Sequence, residues 1–168
     1  KADHELRLKP DHPMGSGQDV LLEHNAAITG YCEAYLTYIT RMLKGDVVAE
    51  LDSPIMSSVI PHLTYHFPPE EPKKGRVKKV LDFMQSEHFR NTPYHDIQAR
   101  MYATLKSMVR GGAYQNREKS IQRLSGFYYD VKHISTYAPY CDAFLMDNAM
   151  AEIVNRDTVG LQHRYGVR

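Results

Sequence analysis

No apolar run in the 168 residues approaches the roughly 20 needed to cross a bilayer, and no signal-peptide pattern opens the chain. A cytoplasmic protein with no membrane role is expected. Cysteine is scarce: Cys32 and Cys141 lie far apart in apolar segments and form no metal-spaced pair. That usage favours reduced core residues over a disulfide. A phosphate-binding glycine loop is also missing, since Gly111-Gly112 reads as a helix stop. No Gly-x-Ser-x-Gly elbow occurs, and neither cysteine has a partner histidine that the sequence itself identifies. Internal repeats and low-complexity tracts are absent.

Apolar content of 42% beside charged content of 24% marks a globular chain, long enough for one domain with its own core. It opens on Lys1 rather than Met, as a piece of something longer would. The net charge of +1 conceals a strong asymmetry. Residues 1–72 hold 5 Lys/Arg against 11 Asp/Glu, residues 73–132 hold 13 against 5, and residues 133–168 hold 3 against 4. A basic middle segment can attract a polyanion such as RNA, although Lys73-Lys-Gly-Arg-Val-Lys-Lys79 also reads as a solvated loop and helix start.

Residues 1–17, with two prolines and two glycines, read as a polar arm or loop, and 18–168 as one helix-rich domain with a Pro-rich linker at 67–72. A long helix is expected from Gln18 to Lys44, where Leu21, Ile28, Cys32, Tyr35, Ile39 and Met42 recur at helical spacing. Ser53-Pro54 signals a shorter helix that Pro61 interrupts. Further helices are expected at about 75–90, from Thr92 to Gly111, from Arg117 to Tyr137 with a weak point at Gly126, at 148–155 and at 158–165. Between the last three, Cys141–Met146 reads as a short strand. The predicted class is mainly α with a short strand near the C-terminus. A lone strand needs partners for its backbone groups, and Glu5–Leu8 or Gly166–Arg168 could supply one.

The chemistry-bearing stretch is Asp130-Val-Lys-His-Ile-Ser-Thr-Tyr-Ala-Pro-Tyr-Cys-Asp-Ala-Phe-Leu-Met-Asp147. Asp130 and His133, three apart, face one way on a helix. Asp142 sits early in the expected strand and Asp147 just past its end, where open α/β sheets collect ligands. Carboxylates gathered there repel one another unless a hard cation, Mg²⁺ or Mn²⁺, neutralises them. Asp147 is equally readable as the cap of the next helix, and Asp142, pointing the other way along a strand, as structural. His62 and His66 are four apart, but Pro61 and Pro68 make a metal-binding helix face a poor reading. Tyr128-Tyr129, among twelve tyrosines, could stack on bases or pack helices.

The stretch from Asp130 to Asp147 resembles the carboxyl-terminal half of a PIN-like domain, in which a helix with an Asp leads to an apolar strand and a second Asp. The likeness extends through Ala149-Met150, Leu161 and Tyr165-Gly-Val167. It implies a three-layer α/β fold, incomplete here because no apolar strand ending in Asp precedes Gln18. It further implies a metal-dependent ribonuclease of RNA processing or toxin–antitoxin pairs, with RNA as substrate and a protein inhibitor or homo-oligomer as partner. On that basis Asp130 and Asp147 are catalytic metal ligands, with Glu33 and Asp142 as supplements and Arg100, Arg123 and Lys132 against phosphates. Glu23 or Glu50 would serve nearly as well as Glu33. The alternative is a non-catalytic helical module that binds protein or RNA through the basic segment 73–123.

Overall fold

The computed structural model describes residues 16–49, 51, 55–112 and 117–168. It is mainly helical, and the described residues contain no strand. In chain order the helices are α1 (Ser16–Leu43), a 3₁₀ turn (Ile55–Ser58) running into α2 (Val59–Thr64), α3 (Lys73–Gln85), α4 (Glu87–Arg90), α5 (Pro93–Arg110), α6 (Arg117–Tyr137), a 3₁₀ turn (Ala138–Tyr140), α7 (Asn148–Val154) and α8 (Leu161–Tyr165). No helix among the described residues is long and apolar enough to cross a membrane. The Asp52–Pro54 helix entry lies outside the described residues.

The chain divides into two compact units, residues 16–23 with 92–168, and residues 24–91. In the first, Thr92 and Pro93 start α5 as expected, and Gly111 closes it with its N–H on Ser107 O. Proline at the first helical position has no N–H to lose and a preset φ. The α5 residues Ile97 and Met101 pack with Phe127, Val131 and Ile134 of α6, and with Met150, Ile153, Val159, Leu161 and Val167. The helix α6 runs through Gly126 without a break. Ile121, Leu124 and Arg123 are among the residues whose side chains lie outside the described ones.

The first turns of α1 depart from the expected stripe. Leu21 and Leu22 are exposed, while Asp19 and Glu23 are buried with Val20. The cause is electrostatic: Arg110 binds Asp19 through two N–H···O bonds of 2.8 and 3.1 Å, and Lys106 pairs with Glu23. Removing one partner of such a pair leaves an uncompensated buried charge, at a cost of about 3–5 kcal/mol.

In the second unit, Tyr31 of α1 packs with Ile60, Val80, Met84 and Phe89. Pro61 falls in the first turn of α2, where its ring does no harm, so the helix continues to Thr64. The single helix expected over 75–90 is two. Ser86 adopts an extended conformation (φ −75°, ψ 162°) and its hydroxyl caps α4 by accepting from Phe89 N at 3.4 Å. Serine competes for backbone bonds in this way wherever a helix can be restarted.

Candidate functional site

The helix α6 ends where Pro139 forbids another turn, and Cys141 N–H bonds back to Ala138 O at 3.1 Å. The backbone is extended at Cys141 and at Asp147, but the segment between them is not the expected strand. Among the described residues one position is paired: Phe144 N–H donates to Arg168 O at 2.9 Å, and Arg168 N–H donates to Asp142 O at 3.0 Å. Those two bonds follow the slanted pattern of parallel chains. The segment Gly166–Arg168, expected as a possible partner, therefore does bond here through Arg168. A ladder of several such bonds is what a strand requires, and one pair does not make it. Cys141 is exposed rather than in the core, and both cysteines are free. Burial, with the nearby Glu33 carboxylate, raises the Cys32 thiol above its ordinary range.

Asp147 caps α7. Its backbone is extended (φ −72°, ψ 166°), and Oδ1 accepts from Met150 N–H at 2.8 Å, which leaves the second oxygen outside that bond. Asp142 is exposed and engages Arg168 through its main chain. Asp130 is half-buried on α6. Glu33 is exposed on α1 in the other unit. Among the described residues no group of three or more His, Cys, Asp or Glu could hold a metal ion, so the set Asp130, Asp147, Glu33 and Asp142 is not brought together as a ligand cluster. His62 instead donates from Nδ1 to Ser58 O at 2.8 Å.

The cations meet different fates. Arg100 is committed internally, with Nε 2.8 Å from both oxygens of buried Asp96 and a second N–H on Thr158 O at 3.1 Å. It is thus a poor phosphate contact. Tyr165 completes this cluster by donating to Asp96 Oδ2 at 2.8 Å. Burial, together with that bond, pushes the Tyr165 hydroxyl well above the ordinary tyrosine range. The Asp96–Arg100 spacing of four was legible on a helix, but nothing local announces Tyr165. Lys132 pairs with no acid in the way Arg100 does among the described residues; it interacts with Tyr128, its Nζ standing 4.4 Å from that ring centroid and hydrogen-bonded to the Tyr128 side chain. The Tyr128 phenol raises the Lys132 ammonium above the usual lysine value, against the opposing effect of burial. Arg123, the third expected phosphate contact, lies outside the residues with described side chains.

On α3 of the second unit, Val80 and Met84 are buried, while Lys73, Lys74, Lys78 and Lys79 are exposed. Lys79 bonds Glu71 at 2.8 Å and lies 5.8 Å from the Phe67 ring. The first turn of α3 contains no acid, so Lys73 and Lys74 sit at the positive end of the helix dipole, where lysine is disfavoured.

Against this geometry stand the comparisons with known proteins. The chain matches no protein-family model, no curated protein and no solved structure.

Proposed function

We propose that this chain acts on RNA as a divalent-metal-dependent ribonuclease of PIN-like type, with Asp130 and Asp147 as the acids it contributes. One observation carries the reading. The segment that ends on Asp147 meets Arg168 in a single parallel pairing across α7 and α8, the connection by which a PIN-like domain would join its last strands, although the described residues form no sheet. Asp147 then occupies the carboxyl end of that segment, the favoured place for a ligand. In kind, the two carboxylates suit Mg²⁺ or Mn²⁺, and Asp147 keeps one oxygen outside its capping bond. In number they fall short, because among the described residues no group of three or more His, Cys, Asp or Glu could hold a metal ion. A bound cation would supply activation of water and stabilisation of charge on the phosphodiester. The test is calorimetric titration of Mn²⁺ into the chain and into its Asp130→Asn/Asp147→Asn double variant. Binding lost in the variant supports the acidic site and leads to a cleavage assay on single-stranded RNA. Absence of binding in both proteins rejects it.

A second reading, a non-catalytic helical module that binds RNA or protein through the basic segment, is favoured by the exposed lysines of α3. Among the segment's described side chains, Arg100, Lys106 and Arg110 of α5 are paired to acids, whereas Lys73, Lys74, Lys78 and Lys79 of α3 are exposed, Lys79 bonded to Glu71. On this reading, neutralising those lysines weakens RNA binding and lowers its salt dependence, while Asp147→Asn changes neither.

A further inference from the structure

The described part of α6 turns its wholly apolar side chains inward and its tyrosines outward. Phe127, Val131 and Ile134 are buried, whereas Tyr129 is 68% and Tyr137 56% exposed. Tyr140, just beyond the helix, is 79% exposed. Tyr129, His133 and Tyr137 follow at intervals of four and so share one face. The His133 and Tyr137 ring centroids are 6.0 Å apart, and Tyr128 meets Tyr129 edge-on at 5.7 Å. Beside this row stands the Lys132 ammonium, held over the Tyr128 ring. Over residues 126–137 no leucine, isoleucine, valine or methionine is exposed.

That composition selects its ligand. Tyrosine rows also serve protein contacts; the Lys132 ammonium beside this one favours an anionic chain. Phenol and imidazole faces with a neighbouring cation suit flat rings strung on an anionic chain, as nucleobases on a phosphate backbone are. Spacing decides between single and double strands. Four residues of helix advance about 6 Å, wider than the roughly 3.4 Å per nucleotide of a duplex strand. Bases splayed one at a time fit such a row, and bases stacked inside a duplex do not present their faces.

We infer that the outward face of α6 is a stacking site for the bases of single-stranded RNA, with Tyr129, Tyr137 and Tyr140 receiving bases and Lys132 a phosphate; this role rests on the RNA-directed reading proposed above. It concerns how the strand is held and requires no metal.

The test is fluorescence anisotropy in EDTA with three labelled probes of equal length: a single-stranded RNA, its duplex, and an abasic ribose-phosphate strand. The proteins are the whole chain, Tyr129→Ala/Tyr137→Ala and Tyr129→Phe/Tyr137→Phe, each checked by circular dichroism. Stacking predicts that the alanine variant loses about tenfold in affinity per ring for the single strand. The phenylalanine variant should bind like the unchanged protein, and the abasic strand should bind all three alike. No single-strand binding by the unchanged protein, equal binding by the alanine variant, or equal losses on the abasic probe would each overturn the site. Tyrosine variants that alter self-association in sedimentation while RNA binding stays constant would overturn it in favour of a protein contact. Because EDTA removes the metal, a chain that stacks RNA but binds no Mn²⁺ would sink the ribonuclease reading alone. A chain that binds Mn²⁺ through Asp130 and Asp147 with no effect of the tyrosines would sink only the stacking site.

Discussion

The two units treat similar basic helices in opposite ways. In the first, α5 has Arg100, Lys106 and Arg110 answered one for one by Asp96, Glu23 and Asp19, all three acids buried. In the second, α3 carries Lys73, Lys74 and Lys78 into water, with no acid in its first turn. Counting charges along the sequence merges the two helices into one basic segment. Their partners separate them, and two of the three are distant in the chain: Asp19 and Arg110 are 91 residues apart. Arg100, Lys106 and Arg110 of α5 are therefore structural, whereas Lys73, Lys74 and Lys78 of α3 face water.

The comparison predicts a graded series of effects on stability. Asp96→Ala strands the Arg100 guanidinium and the Tyr165 hydroxyl together, and should destabilise the first unit by about 3–5 kcal/mol in urea unfolding. A loss near zero would mean that this cluster is solvated after all. Tyr165→Phe removes one hydrogen bond to a charged group and should cost about 1.5–3 kcal/mol at neutral pH. It also sharpens a pH effect. The folded state holds the Tyr165 proton more tightly than the unfolded chain, whose tyrosines ionise near pH 10. Stability from this group is thus complete below about pH 10 and falls as pH rises beyond it, because the unfolded state then releases a proton that the folded state keeps. The phenylalanine variant should show a shallower alkaline loss in thermal scans.

Asp147→Ala removes the α7 cap and should cost about 1 kcal/mol, whereas Asp147→Asn, an equally good cap, should leave the melting temperature unchanged. That contrast makes asparagine the cleaner probe of metal binding. The smallest effect, opposite in sign, belongs to α3. Lys74→Glu places an acid at the positive end of the helix and should stabilise the second unit by about 0.3–1 kcal/mol at low salt. A destabilisation there would show that Lys74 has a structural partner and would weaken the contrast with α5.

Much of the helical framework was legible. Thr92-Pro93, Gly111 and Pro139 each act through local backbone chemistry, and α1, α5 and α6 begin and end close to the residues that announce them. The expected strand was overread because Ala143, Phe144, Leu145 and Met146 have strand-like apolar character, while pairing depends on neighbours that a local pattern cannot supply. Leu145 is 98% exposed, and no sheet among the described residues covers it. The stripe on α1 misled for a related reason: apolar periodicity favoured Leu21, yet buried acids paired to α5 set the face. Of the candidate site, Asp147 as a cap and Asp96 with Arg100 could be read from spacing. Tyr165 on Asp96, 69 residues away, could not.

The capping bond of Asp147 also makes the first turn of α7 an internal sensor. The Met150 amide proton points at Asp147 Oδ1, 2.8 Å away, so its resonance and its exchange with deuterated water follow the state of that carboxylate. Protonation, a nearby cation or a strand of RNA passing the site would each be registered by one backbone signal, in the unmodified protein and without a label.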